Sequence, residues 1–166
     1  MNIFLIGFMG SGKSTMGKKL ARRMGYDFVD MDRLIEKKEG MSVRKIFRKK
    51  GEGKFRKMER KTLEKLVRKD RLVISTGGGV PCEAGNMELI RQHGISIYLK
   101  MDPPALYKRL KKRQSKRPLI KDLSEKELRK FISEKLSERE GYYSQADHTV
   151  DGSKRDVDEL LALLNA

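Results

Sequence analysis

A single cysteine, Cys82, in 166 residues excludes an internal disulfide and any cysteine-built metal site, and it fits a reducing compartment. The two histidines, His93 and His148, are isolated, and neither is given a role. No apolar run approaches the length that a bilayer requires. The apolar N-terminal stretch has no basic region ahead of it and is interrupted by Gly7 and Gly10, so it is not read as a signal peptide. Internal repeats and flexible linkers are also missing. The chain therefore reads as one domain, 1–166, large enough for a real core, and as a soluble cytoplasmic protein. Acidic residues are the scarcer charge, 23 against 39 Lys and Arg, for a net charge of +16. That excess implies anionic partners, either nucleic acid or nucleotides and acidic metabolites.

What is present is organised around Gly7-Phe8-Met9-Gly10-Ser11-Gly12-Lys13-Ser14-Thr15, which matches the phosphate-binding pattern G-x-x-x-x-G-K-[ST]. Glycines let the backbone curl so that several N–H groups point inward at phosphate oxygens. Lys13 adds a point positive charge between two phosphates, and the Ser14 hydroxyl is placed to ligate Mg²⁺. The helix that follows turns its positive dipole end toward the anion. The flanks agree with this reading. Asn2 to Ile6 is a short apolar run that reads as a buried strand, and Met16, Leu20, Ala21 and Met24 recur at helical spacing. Gly10, Ser11, Gly12, Lys13, Ser14 and Thr15 are accordingly the candidate nucleotide-binding residues.

Further strands are predicted at Tyr26–Asp30, Leu72–Ser75, Ile95–Leu99 and around Thr149–Val150. Helices are predicted over about 33–39, 42–50 with Ser42 as cap, 54–69, and from Pro81 through His93. Others follow at 103–112 behind an Asp102 cap, from the Ser124-Glu125-Lys126-Glu127 capping box to Tyr143, and at 156–164. Gln114 to Asp122, which contains Pro118, reads as a loop. Strands alternating with helices imply a parallel sheet covered on both faces, whose ligands bind at the carboxyl ends of the strands.

Three unusual segments fall at such ends. Besides the phosphate loop, Asp30 and Asp32 stand two apart, a strand spacing that puts both carboxylates on one side. One could hold Mg²⁺ and the other accept a proton from a substrate hydroxyl, or one could simply cap the next helix. Gly77-Gly78-Gly79 exposes backbone N–H groups and allows close approach of a ligand, although a tight turn alone would also use glycine there. No aspartate ends the third strand, which shifts the metal duty to Ser14 and Asp30. Arg56 can bridge to Glu59 on a helix surface or be an ordinary solvated cation. Lys108 to Lys121 holds eight basic residues and no acidic one. It reads either as a phosphate-tracking nucleic-acid patch or as a lid over ATP phosphates. Its lack of aromatics leaves bases no stacking platform.

These residues together resemble the shikimate kinase family, phosphate-loop kinases of the nucleoside-monophosphate-kinase type. The resemblance covers Asn2 to about Asp151 and rests on the phosphate loop, Asp30-Met31-Asp32, Gly51-Glu52-Gly53-Lys54-Phe55-Arg56, Ser75-Thr76-Gly77-Gly78-Gly79, Arg117-Pro118-Leu119 and Arg139-Glu140-Gly141-Tyr142-Tyr143. It implies an α/β fold of three layers, with a five-stranded parallel sheet in the order 2-3-1-4-5 flanked by helices. A mobile lid would span about 111–122 and a substrate-binding helical region about 33–61. It implies ATP and Mg²⁺, and transfer of the γ-phosphoryl of ATP to the 3-hydroxyl of shikimate in the route to chorismate and the aromatic amino acids.

By the same resemblance Asp32 binds the ring hydroxyls and can act as base, Arg56 and Arg139 clamp the carboxylate, and Gly78, within Gly77–Gly79, meets the substrate through its backbone. Lys13 and Arg117 reach the phosphates, Ser14 and Asp30 serve Mg²⁺, and Arg109 or Arg113 lies against adenine with Arg155 nearby. The family usually reads Arg-x-Pro-Leu-Tyr where this chain has Arg139-Glu140-Gly141-Tyr142-Tyr143, which leaves the helix end less fixed. A net charge of +16 is high for such an enzyme. The alternatives are another small-metabolite kinase of gluconate-kinase type and a nucleic-acid-binding ATPase. No nucleic-acid module is visible, no membrane partner is expected, and a monomer is.

Overall fold

The apolar runs of this chain do form buried strands, and their level ends set out the rest of the molecule. The computed structural model describes residues 1–117 and 119–166; Pro118, read above as part of a loop, lies outside the described residues. The order along the chain is β1 (Asn2–Ile6), α1 (Lys13–Met24), β2 (Asp27–Asp30), α2 (Met31–Glu39), α3 (Val43–Lys50), α4 (Glu52–Leu66), β3 (Leu72–Ser75), α5 (Asn86–His93), β4 (Gly94–Lys100), α6 (Pro103–Lys112), α7 (Glu125–Tyr143), β5 (His148–Asp151) and α8 (Val157–Asn165). The sheet runs β2-β3-β1-β4-β5, and every neighbouring pair is parallel.

Parallel strands buried on both faces need apolar side chains in both directions. β1 supplies them: Ile3 and Leu5 join the cluster under α1 and α8, while Phe4 and Ile6 join the larger cluster on the opposite face. A satellite core of Ile35, Ile46 and Phe55 binds α2, α3 and α4 to one another. The register levels the strand ends, because Ser75 pairs with Leu5 on one side and with Asp30 on the other. The segments that leave β1, β2 and β3 therefore emerge side by side at one edge.

Several local expectations need correction. The helix expected from Pro81 through His93 is two pieces, a single 3-10 turn at Val80–Cys82 and then α5 from Asn86. Glu83 is extended and Gly85 is left-handed with φ 80°, so the helix cannot run through. The buried Asn86 amide closes the break by donating to the Val80 carbonyl at 2.9 Å. Asp102 precedes α6 but its side chain makes no cap hydrogen bond. Pro104 at the second helical position has no N–H to give it, and the Ala105 N–H at the third is not taken up by that side chain. α4 starts at Glu52 and ends at Leu66 instead of spanning 54–69, and the 114–122 loop holds a 3-10 turn at Gln114–Lys116. The Ser124 capping box is present in both directions.

Leu63 is fully buried in the larger core. Leu63→Ala is expected to cost about 2–5 kcal/mol of stability in urea unfolding, against about 1 kcal/mol for loss of the α7 cap in Ser124→Ala. A Leu63 effect below that of the cap would contradict its place in the core.

Candidate functional site

The loop between β1 and α1 is curled by left-handed glycines, Gly10 at φ 79° and Gly12 at φ 93°. α1 has no acidic residue in its own first turn, so the helix itself does not answer its positive end. Ser11 Oγ inside the loop is buried without a hydrogen-bond partner among the described residues. Lys13 Nζ donates to the carbonyls of Gly7 at 2.6 Å and Phe8 at 3.0 Å. Burial pushes its pKa down to about 8, against the attraction of Asp32 and Asp30. A buried cation, an orphaned hydroxyl and a free helix N-terminus form a cradle that fits phosphate.

The Asp30-x-Asp32 pair arrives there by a different geometry from the one expected. Asp30 is the last residue of β2, and Asp32 already lies in the first turn of α2, so strand alternation does not relate them. Asp30 caps α2 and at the same time meets Ser14. Its Oδ1 accepts the Arg33 N–H at 3.2 Å as the cap of α2, and its Oδ2 accepts the Ser14 hydroxyl at 2.6 Å. Asp32 is pushed above the ordinary aspartate range by burial and by the neighbouring Asp30.

The glycine turn after β3 explains itself by its neighbours. A Cβ on Gly77 would stand 2.7 Å from Glu59 Oε2 and 2.8 Å from Asp32 Oδ1. On Gly78 it would stand 2.9 Å from an Arg139 Nη, and on Gly79 it would enter the Arg56 guanidinium. The three glycines are thus the floor under four polar side chains of the site, two of them on Gly77. A merely tight turn needs one glycine, whereas this close packing needs all three.

Arg56 is not a surface cation. It stacks near Phe47 and Phe55 and donates to Glu59 Oε1 at 2.6 Å, with Glu52 at 3.3 Å and Glu83 at 3.7 Å. Glu59 is 1% exposed. Burial outweighs the Arg56 pairing and pushes the Glu59 carboxyl up to about 7, with Asp32 and Glu83 adding like charge. Sequence reasoning treated Glu59 only as a surface bridge. The signal was there: it shares the apolar stripe of Phe55, Leu63 and Leu66 on α4, where an acid without a function would be costly.

Arg139, near the end of α7, lies over the Phe8 ring of the phosphate loop, its Cζ 5.7 Å from the centroid. Behind it, Tyr143 donates to the Gly78 carbonyl at 2.6 Å, and its own hydroxyl is raised to about 12 by burial.

Cations gather on the other flank. Arg109 bridges the carbonyls of Gly10 at 3.3 Å and Gly152 at 3.1 Å. Burial and then the like charge of Arg155 depress its pKa. Arg117 is depressed by burial and then by Arg113. The cavity between these flanks encloses about 490 Å³ and carries Gly10, Gly12, Lys13, Ser14 and Thr15 with Asp30, Asp32 and Gly78, and also Arg109, Arg113, Arg117 and Arg155. Arg33, Glu36 and Lys112 line it too, without having been singled out from the sequence. Seven basic side chains against three acidic ones make it a site for a polyanion. Arg56, Arg139, Gly77 and Gly79 do not line it; the two arginines meet it at the glycine turn, Arg139 against Gly78 and Arg56 against Gly79.

Among the described residues no group of three or more His, Cys, Asp or Glu could cage a metal. The Ser14–Asp30 oxygen pair nevertheless fits Mg²⁺, which is usually held by one or two protein oxygens with phosphate and water completing its shell. No helix among the described residues is long and apolar enough to cross a membrane.

Sheet order, phosphate cradle and a cluster of polar side chains packed on a glycine turn define a phosphate-loop kinase for a small-molecule acceptor. The shikimate kinase family model matches residues 9–164. A shikimate kinase from Phocaeicola vulgatus is 42% identical over 146 residues, covering 88% of this chain and 83% of that protein. The crystal structure of shikimate kinase from Bacteroides thetaiotaomicron superposes with a TM-score of 0.94 at 34% identity, over 100% of this chain and 99% of that one. That of shikimate kinase from Acinetobacter baumannii in complex with shikimate superposes at 0.88 and 35% identity, over 98% and 92%. The chain belongs to the shikimate kinase family.

The Glu59 carboxyl binds its proton more tightly in the folded chain, near pH 7, than unfolded, near the ordinary glutamate value. The folded state thus holds the extra proton between those values, and stability falls as pH rises from about 4.5 to 7. Glu59→Gln is expected to flatten that part of the urea-unfolding profile, and an unchanged slope would remove Glu59 as its source.

Proposed function

We propose that this chain transfers the γ-phosphoryl of ATP to the 3-hydroxyl of shikimate, giving shikimate 3-phosphate and ADP, on the route to chorismate and the aromatic amino acids. The carrying observation is the glycine turn, which packs two acids and two arginines beside the phosphate cradle, Asp32 and Glu59 on Gly77, Arg139 on Gly78 and Arg56 on Gly79. Guanidinium forks match a carboxylate bidentately, and a buried aspartate beside them suits a ring of hydroxyls. This arrangement favours a carboxylated ring over a gluconate-type substrate. The basic excess with no nucleic-acid module leaves the third reading without support.

In this reading Gly10, Ser11, Gly12 and Thr15 bind the phosphates through the loop, and Lys13 neutralises charge that develops on the transferred group. Arg117 reaches the same phosphates from residues 111–122, which act as the lid. Its Gln114 Nε2 donates to the carbonyls of Ile120 at 2.8 Å and Leu123 at 2.6 Å, and so holds the stretch together. Arg109, tied to Gly10 and Gly152, takes the adenine face together with Arg155, while Arg113 backs Arg117. Residues 33–61 and Arg139 form the acceptor side: Arg56 and Arg139 take the carboxylate, and Gly77–Gly79 contribute backbone.

Asp32 orients the 3-hydroxyl and accepts its proton as that oxygen bonds to the γ-phosphorus and the bond to the β–γ bridging oxygen breaks. Its raised pKa makes it a stronger base than an exposed aspartate. Ser14 and Asp30 would hold Mg²⁺, which supplies positive charge to the phosphate oxygens. Every group needed comes from one chain, which supports a monomer. The single cysteine and the dependence on ATP support the cytoplasm.

ADP release by purified protein with ATP and Mg²⁺ is expected to depend on shikimate and to stop on chelation. Arg56→Ala and Arg139→Ala should each raise the shikimate KM by roughly ten- to a hundredfold with the ATP KM unchanged. Asp32→Asn should lower kcat by about 10²- to 10⁴-fold. Activity with gluconate but not shikimate would overturn the assignment.

A further inference from the structure

Arg139 stands three-quarters of the way along the last helix of the sheet's larger face, on a helix end with little rigidity of its own. Gly141 lies within that final turn and has no neighbour within 4 Å of where a Cβ would be, and glycine weakens a helix. Two tyrosines hold this end, Tyr143 from within its last turn and Tyr98 from β4. Tyr143 reaches the glycine turn, as described above. Tyr98, on β4, donates its hydroxyl to Glu140 Oε2 at 2.6 Å. The Lys100 ammonium stands 3.3 Å from Glu140 Oε1. The two tyrosine rings pack with centroids 5.2 Å apart. Tyr98 is 1% exposed and lies in register with Ile6, the last residue of β1 before the phosphate loop. Its hydroxyl is held well above the ordinary tyrosine range by burial and by Glu140, so it remains a donor at working pH.

We propose that Tyr98 and Glu140 are positioning residues for the acceptor: their hydrogen bond fixes the last turn of α7 against β4 and β1, and so fixes where Arg139 presents its guanidinium relative to the phosphate loop. Glu140 follows Arg139 directly, so any swing of this turn moves both. Tyr98 touches neither substrate nor nucleotide in this scheme. It ties the acceptor's arginine to the strand beside the one that carries the donor's cradle. The inference rests on Arg139 as the carboxylate clamp.

Steady-state kinetics of the full chain test it. Tyr98→Phe keeps the ring and removes the donor. It is expected to raise the shikimate KM about five- to tenfold, with the ATP KM and the melting temperature little changed. Glu140→Ala should do the same, and the double variant should be no worse than Glu140→Ala alone, since both remove one interaction. Glu140→Gln, which keeps an acceptor oxygen, should lie close to wild type. Additive single effects, or an unchanged shikimate KM in Tyr98→Phe, would overturn the inference. So would a lowered melting temperature without a KM change, which marks a purely structural role. Arg139→Ala serves as the reference arm. If it leaves the shikimate KM unchanged, the acceptor site itself is wrongly assigned; if it raises that KM while Tyr98→Phe does not, only the positioning role fails.

Discussion

The register of three parallel strands is the constraint from which the site follows. Because Ser75 is level with both Leu5 and Asp30, the phosphate loop, the start of α2 and the glycine turn leave the sheet at one height and meet. A slip of one residue in either ladder would turn every strand side chain to the opposite face, separating the level ends and disturbing the two cores on which α1 and α4 rest. The site therefore inherits its precision from the apolar patterning of β1, β2 and β3, even though those side chains never enter it.

Burial then sets the chemistry. Lys13, Asp32 and Glu59 are all enclosed, and each is driven toward its neutral form by desolvation; opposite charges partly offset that drive at Lys13 and Glu59, while Asp30 adds to it at Asp32. On the opposite flank Arg109 with Arg155, and Arg117 with Arg113, crowd like charges without enough carboxylates to compensate. Such an arrangement is uncomfortable alone and complementary to a polyphosphate. Binding an anion relieves repulsion that the fold imposes, which is how an electrostatic site can be organised before its ligand arrives. Part of the net charge of +16 is concentrated here, and the remainder decorates solvated helix faces.

Glycine has two separate uses in this site. In the phosphate loop Gly10 and Gly12 permit left-handed backbone, a conformational requirement. In Gly77-Gly78-Gly79 the requirement is space, since each position supports a charged side chain that a methyl group would displace. That second use links the glycine turn to Glu59, Asp32, Arg139 and Arg56, which come from three helices far apart in sequence.

Local signals carried much of this in the sequence. The phosphate loop, the strand ends, the Ser42 and Ser124 caps and the alternation of strands with helices follow from backbone physics that acts over a few residues, and the shared motifs named the family. Other features had no local signal. The break between Cys82 and Asn86 depends on Gly85 and on Asn86 reaching back to Val80. The double duty of Asp30 needs Ser14, sixteen residues away, and the true relation of Asp30 to Asp32 needed the start of α2. Glu59 was half-legible, through its spacing to Arg56 and its place on an apolar stripe, but its burial beside Asp32 and Gly77 was not. The hold of Tyr98 on Glu140, across 42 residues, was invisible. Residue type and spacing by themselves determined that this chain binds phosphate beside a parallel sheet. Only the tertiary structure decided which charges are buried, which side chain each glycine carries and what steadies Arg139, because desolvation and close contact arise between segments that the sequence keeps apart.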